Sequence, residues 1–359
     1  MDKKKMNRST RTLVQTIAGL AVIYIVISAV ALTGNLSHSL SNILAELCIY
    51  AIIAVGLNLC VGFLGELSLG HAGFMSVGAF VGASFTHATL ESIPSVPVRF
   101  LIALLLGTLA AALTGFLIGI PVLRLNGDYL AIVTLAFGEI IKGLLNVFYL
   151  GKDAQGLHVS FVQDNSATLE EGGKMIINGA KGIMGTPHVT TFTIGMVLLL
   201  LTLVVVTFLV DSRTGRAIQA IRDNRIAAES VGINITRFKL IGFMISAGIA
   251  GVAGVLYSHY LSTTTASKFD FNMSILILVF VVLGGLGNFR GSIISAVILT
   301  LLPELLRGLS NYRMLIYSIL LIGLMLFNWA PAAIEWRARY TPKLAALLHI
   351  GKKEGDETP

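Results

Sequence analysis

Apolar residues run almost unbroken through about ten stretches of the chain, each closed by a polar or Gly/Pro interruption. The stretches cover 13–33, 40–62, 73–90, 100–120, 129–150, 190–210, 240–261, 272–286, 293–309 and 314–328. Most reach the roughly 18 residues that a helix needs to cross the hydrocarbon core of a bilayer, and the third and eighth are among the shorter ones. The pattern predicts an all-α fold, a polytopic transmembrane helical bundle of about ten spans.

Composition reinforces this. The 359 residues are 55% hydrophobic and only 13% charged. A soluble domain carries about 25% charge, so too few charges remain here to coat a water-facing surface. The net charge of +7 could suggest nucleic acid, but basic residues collect at Lys3, Lys4 and Lys5, in 211–239 and after Arg337. They flank apolar runs and do not interleave with aromatics, which fits a membrane protein and argues against a nucleic-acid face. Loop 211–239 has Arg213, Arg216, Arg222, Arg225, Arg237 and Lys239 against Asp211, Asp223 and Glu229, whereas 151–189 is slightly acidic. Opposite sides of a membrane follow, with the basic loop and both termini cytoplasmic; Arg307 and Arg313 are exceptions to that charge rule.

The predicted organisation is a cytoplasmic segment 1–12, a transmembrane domain 13–330 containing loop 211–239, and a cytoplasmic tail 331–359. The basic start followed by an apolar stretch and Ala29-Val30-Ala31 also fits a cleaved signal peptide. A retained signal anchor is favoured, because so many further spans have to insert anyway.

Little catalytic chemistry is visible. There is no GxxxxGK[ST] nucleotide loop, HExxH pair or Ser elbow, and the seven histidines are scattered. Cys48 and Cys60 share one apolar run and form no metal motif. An enzyme is not expected, nor is a metal or a bound cofactor, and any ATP would be hydrolysed by another chain. Among the glycines, Gly248, Gly251 and Gly254 read as a helix-packing stripe. From Gly62 to Gly73 the alternatives are packing or a broken, cavity-lining segment that exposes Glu66, Ser68 and His71 to water.

Loop 211–239 carries the strongest signal. Ser212 or Thr214 can begin a helix there, and Gly232 can end it. At about 100° per residue Ala217, Ile221, Ala228 and Val231 form one stripe, with Arg216, Gln219, Arg222, Asp223, Arg225 and Glu229 elsewhere. A membrane-surface helix prefers larger apolar residues, so this alanine-rich stripe favours docking to a protein partner over lipid.

Gly215-Arg216-Ala217-Ile218, Ala220-Ile221-Arg222-Asp223-Asn224 and Ala227-Ala228-Glu229-Ser230-Val231-Gly232 closely resemble the cytoplasmic loop of LivM-type branched-chain amino acid permeases. Three other stretches resemble the same family in order: Gly65-Glu66-Leu67-Ser68-Leu69-Gly70-His71, Gly127-Asp128-Tyr129-Leu130 through Gly138-Glu139, and Leu283-Gly284-Gly285-Leu286-Gly287. The resemblance implies an ATP-driven importer of leucine, isoleucine and valine in a bacterial inner membrane. It also implies a second permease, two ATPase subunits and a periplasmic or extracellular binding protein, with the loop as the coupling element on an ATPase. One departure is an expected insertion near 152–178, where Gly179-Ala180-Lys181-Gly182 fits the family's Gly-rich turn better than 151–156 does. A urea or short-amide permease is the related alternative, and an ion-coupled transporter using Glu139 and Lys142 a more distant one. Of the ionisable residues within spans (Glu46, Glu66, Glu139, Lys142 and Glu304), Glu139 and Lys142 are three apart and can neutralise each other, or Glu139 can join Glu66, Ser68 and His71 on the translocation pathway.

Overall fold

The computed structural model describes residues 8–32, 38–125, 127–153, 156–161 and 173–306, with scattered positions from 312 to 326. The chain divides into two units, Met1–Thr300 and Leu301–Pro359. In the second, the described residues are the last turn of a helix and short helical stretches between 315 and 326. The predicted span 314–328 falls partly, and the tail 331–359 wholly, outside the described residues.

The first unit is helical in the order the apolar pattern predicts. Its long helices are α1 (Arg8–Leu32), α2 (His38–Asn58), α3 (His71–Ala88), α4 (Val96–Val122), α5 (Asp128–Asn146) and α6 (Phe192–Asp211). Two short helices, α7 (Arg213–Asp223) and α8 (Arg225–Ser230), precede α9 (Ile235–Tyr260), α10 (Phe271–Gly284) and α11 (Phe289–Leu305). Among the described residues, four apolar segments are long enough to cross a membrane: Leu40–Leu64, Val96–Val122, Phe192–Asp211 and Ile235–Tyr260.

Helix α9 is the centre, with α2, α3 and α4 packed around it. Small residues decide how closely. On α4, Ala103, Gly107, Ala111 and Gly115 are buried, while Leu101, Leu105, Leu109, Leu113 and Leu117 are exposed at the same four-residue spacing. The larger apolar side chains thus face outward, the reverse of a water-soluble core. In hydrocarbon leucine gains little by hiding, whereas small residues let helix backbones approach and gain van der Waals contact. A Cβ on Gly107 would stand 2.4 Å from Val255 Cγ2, and one on Gly78 of α3 would stand 2.4 Å from the Gly251 carbonyl oxygen.

The predicted glycine stripe on α9 is uneven. Gly251 and Gly254 sit at close crossings, with Gly254 only 2.0 Å from the Met75 oxygen by its added Cβ. Gly248 has ordinary contact distances of 3.5 Å and beyond. Cys48 and Cys60 are free, buried thiols.

Among the described residues, short strands interrupt the helical class in the loop between α5 and α6 and again after α9. Strands β1 (Tyr149–Asp153), β2 (Gly156–Ser160) and β3 (Lys174–Asn178) form an antiparallel sheet in the order β2-β1-β3, with a register shift between Leu150 and Gly151. A second ladder joins β4 (Ile183–Met184) to β5 (Thr263–Thr264). Between the two sheets, Gly179 and Gly182 have φ of 46° and 69°, a conformation that favours glycine. A Cβ on Gly182 would lie 2.0 Å from the Thr264 oxygen, so the turn at 179–182 demands glycine.

Candidate functional site

At one end of the first unit three irregular segments meet: the break between α2 and α3, the α7–α8 loop, and the turn between α10 and α11. The α2 helix widens into a π-helical turn, Leu59–Leu64, and stops at Gly65, whose φ is 76°. Residues 65–70 are not helical. Of the two alternatives for Gly62 to Gly73, the helix break is the one present, and π-turns within helices concentrate at functional sites.

Its backbone is satisfied from within the protein, as irregular chain at membrane depth requires. The Glu66 N–H donates to the Cys60 carbonyl at 3.2 Å, and the Leu69 N–H donates to Thr134 Oγ1 of α5 at 3.1 Å. Gly70 lets α5 approach, since a Cβ there would be 2.4 Å from the Thr134 oxygen.

Glu66, Ser68 and His71 come together here, but all three are buried in this conformation and not open to water. Glu66 pairs with Lys239 of α9, their side chains 10% and 8% exposed. His71 lies between two hydroxyls, with Nδ1 3.0 Å from Ser68 Oγ and Nε2 2.7 Å from Ser246 Oγ. Ser246 donates its proton to the Gly56 carbonyl at 2.6 Å. A hydroxyl has one proton, so Nε2 of His71 is the donor to Ser246 and Nδ1 accepts from Ser68. The chain Ser68–His71–Ser246–Gly56 fastens the break to both α9 and α2.

Asn58 holds the third segment. Its Oδ1 accepts from the Gly287 N–H at 2.8 Å, and its Nδ2 donates to Ser292 Oγ at 2.7 Å. Gly285 and Gly287 turn the chain with φ of 92° and 77°. The rings of Phe63 and Phe289 stack 4.7 Å apart across the same contact. Sequence reasoning misses Asn58 and Ser246, whose signal is a polar residue within an apolar run, and it counts Lys239 as a loop charge, whereas the structure buries it against Glu66.

The basic loop is two helices, not the single one expected between 215 and 232. Asn224 is extended (φ −154°, ψ 104°), and its side chain caps α8 by accepting from the Ala227 N–H at 3.0 Å. Ser212 likewise caps α7, accepting from the Gly215 N–H at 3.1 Å. Gly215 fits beneath the end of α6, where a Cβ would be 2.2 Å from the Leu209 oxygen. Gly232 has φ of 82° and ends the loop.

The alanine-rich stripe is split as well. Ile221 and Ala228 are buried with Ile235, against Ile233 and Phe238 of their own chain, and Ala217 is half-buried. Val231, expected on that stripe, is 75% exposed, and Ile226 is 81% exposed. Ala228 therefore anchors the loop to its own chain, and the apolar surface it presents outward is Ile226 with Val231. Arg216, Asp223, Ala227 and Glu229 are exposed; Arg216 reaches back to the Asp211 carbonyl at 2.9 Å. Arg222 is also partly exposed, at 38% of its side chain, yet it reaches back to the break. Its Nη1 donates to the Gly62 carbonyl at 2.8 Å, while Nε and Nη2 donate to Asp223 Oδ1 at 3.0 and 2.8 Å.

Glu139 stands apart from this cluster. It pairs with Lys142 at 2.5 Å on α5, its side chain 41% exposed, so the sequence-predicted neutralising pair forms. Lys142 also acts on Asp270, the residue that caps α10. Burial opposes ionisation of Asp270, yet the Met273 N–H, the Asn272 amide and the Lys142 charge together hold its carboxyl below the ordinary range.

Known proteins share this sequence over most of its length. Residues 39–328 match the family described as branched-chain amino acid transport system / permease component. The chain is 34% identical to the high-affinity branched-chain amino acid transport system permease protein LivM of Salmonella typhimurium, over 94% of this chain and 79% of that protein. It is 35% identical to the LivM protein of Escherichia coli, over 88% of this chain and 74% of the relative. The ribose import permease protein RbsC of Haemophilus influenzae is 25% identical over 78% of this chain and 81% of its own. No solved structure matches. With the match covering most of the chain and two relatives above 30% identity, the chain belongs to the family of permease components of branched-chain amino acid transport systems.

Proposed function

We propose that this chain is the membrane-spanning permease of an ATP-binding-cassette importer of leucine, isoleucine and valine. Sugar permeases are also relatives, at about 25% identity. The higher identity to two LivM proteins, across most of the chain, therefore supports the amino-acid substrate over another solute. In this reading the chain crosses a bacterial inner membrane about ten times with both termini in the cytoplasm, as the apolar runs and basic loops suggest. It works with a second permease, two ATPase subunits and a substrate-binding protein on the outer side.

The observation that carries the reading is the form of the α7–α8 loop. Ile221, Ala228 and Ile235 fix it to the helical body, yet Ile226 and Val231 are left exposed on a basic surface. A loop built rigidly and capped at each helix start, with two apolar side chains outward, is suited to press on a partner's groove. Helix α5 suits a different partner. Its Glu139–Lys142 pair sits among exposed Ile140 and Leu144, and charge is costly against lipid. That face fits the second permease, with the pathway between them and Glu66, Ser68 and His71 behind it.

The test is reconstitution of the five-component system in vesicles, with leucine uptake followed with and without ATP. Uptake should require ATP and the binding protein. Ile226→Asp with Val231→Asp should leave insertion intact and remove the ATPases from the purified complex. Uptake that needs no ATPase, or ATPases retained by the double variant, refutes the assignment.

A further inference from the structure

The α2–α3 break frees a carbonyl. In a continuous helix the Gly62 oxygen would accept from the Glu66 N–H four residues on. Here that N–H donates to Cys60 instead, and Arg222 Nη1 donates to the Gly62 oxygen at 2.8 Å. Gly65 is needed beside it, because a Cβ there would be 2.7 Å from Arg222 Cγ. On its other side Gly62 touches the α10–α11 turn. An added Cβ on Gly62 would lie 2.2 Å from the Gly287 nitrogen and 2.1 Å from Asn58 Oδ1. Gly62 is thus a junction with the loop arginine on one side and a second helix break on the other.

The loop reaches this region by a second route. Ile235 of α9 belongs to the same buried cluster as Ile221 and Ala228, and one helical turn later Lys239 pairs with Glu66. The α7–α8 loop and the start of α9 therefore grip the break at two points, Gly62 and Glu66. Asp223 fixes the guanidinium by taking its other donors on one carboxylate oxygen. Such a planar fork orients in a way that a lysine ammonium cannot.

We propose that Arg222 is the positioning residue that transmits movement of the α7–α8 loop to an inner gate formed by the π-helical turn Leu59–Leu64 and the α10–α11 turn at Gly287. This rests on the reading of the loop as the ATPase-docking element. When the loop shifts, the Gly62 carbonyl is carried with Arg222, and the tight Gly62–Gly287 contact passes the shift to α10 and α11. The packed glycine junction has no slack to absorb it. Arg222 itself touches neither substrate nor nucleotide.

The assembled importer in vesicles tests this through amino acid transported per ATP hydrolysed, a ratio that loss of protein alone does not change. Arg222→Met keeps the side chain's bulk and removes every donor. It should retain the ATPases and their hydrolysis, while the ratio falls about tenfold, the scale of one charge-assisted hydrogen bond. Arg222→Lys should recover part of the ratio, and Arg237→Gln, on the exposed start of α9, should leave it unchanged. An unchanged ratio in Arg222→Met overturns the proposal. So does loss of the ATPases from that variant, which would place Arg222 in the docking contact. If Arg222→Met does not accumulate, Asp223→Asn is measured instead: a lowered ratio supports the link and an unchanged one overturns it. Failure of the unaltered chain to bind any ATPase would instead overturn the docking reading itself.

Discussion

Gly254→Ala and Gly248→Ala should move stability in opposite directions, although both place one methyl on the same helix. At Gly254 the new Cβ would stand 2.0 Å from the Met75 carbonyl oxygen and 2.9 Å from the Ala79 nitrogen. Both are backbone atoms of α3, so no rotamer change removes them and α3 has to part from α9. A gap of roughly 0.5–1 Å forfeits a quarter to a half of each dispersion contact along the crossing. At Gly248 the nearest atoms are Ala112 Cβ at 3.5 Å and Thr108 Cγ2 at 3.7 Å, which is ordinary contact. Alanine is preferred over glycine in a helix by about 1 kcal/mol, and both variants share that gain. Their difference therefore isolates the overpacking cost, about 1–3 kcal/mol. Thermal unfolding of the detergent-purified permease should place the Gly254→Ala midpoint lower, by about 2–4 °C per kcal/mol. Gly248→Ala should unfold at or above the parent midpoint. Equal midpoints for the two variants would refute the close α3–α9 crossing.

The Glu66–Lys239 pair should behave as a unit. Lys239→Met alone leaves a buried carboxylate and should cost about 3–5 kcal/mol, read as lost folded protein in size-exclusion profiles. Adding Glu66→Gln should restore most of it, and a double variant no better than the single would show that the two do not interact. On α5, Glu139→Gln leaves Lys142 near Asp270, so the double change Glu139→Gln with Lys142→Met should retain substantial leucine uptake. Uptake should also survive collapse of the proton gradient at constant ATP; uptake that follows the gradient and vanishes in the neutralised pair would instead make Glu139 a coupling site.

Hydrophobic runs alone locate the nine long helices among the described residues, because helix length and lipid thickness set the same scale and every backbone group of a spanning helix is satisfied locally. The helix break after Leu64 is only one of two readings of the sequence, since glycines with Glu66, Ser68 and His71 interrupt the run but equally suit close packing. Other features depended on residues distant in the chain. Ala228 and Val231 share a stripe if the loop is one helix; Asn224 splits it by capping a second, and burial then takes Ala228 inward and leaves Val231 out. Asn58 reads as an isolated amide until Gly287 and Ser292 arrive to satisfy it. The strands at 149–184 were not foreseen, because their short polar stretches carry no long-period signal and pair only through the closed loop. Nor does spacing distinguish Gly248 from Gly254: a periodic pattern reports which face of a helix is small, whereas the distance to the neighbouring backbone is fixed only when α3 and α4 pack onto α9.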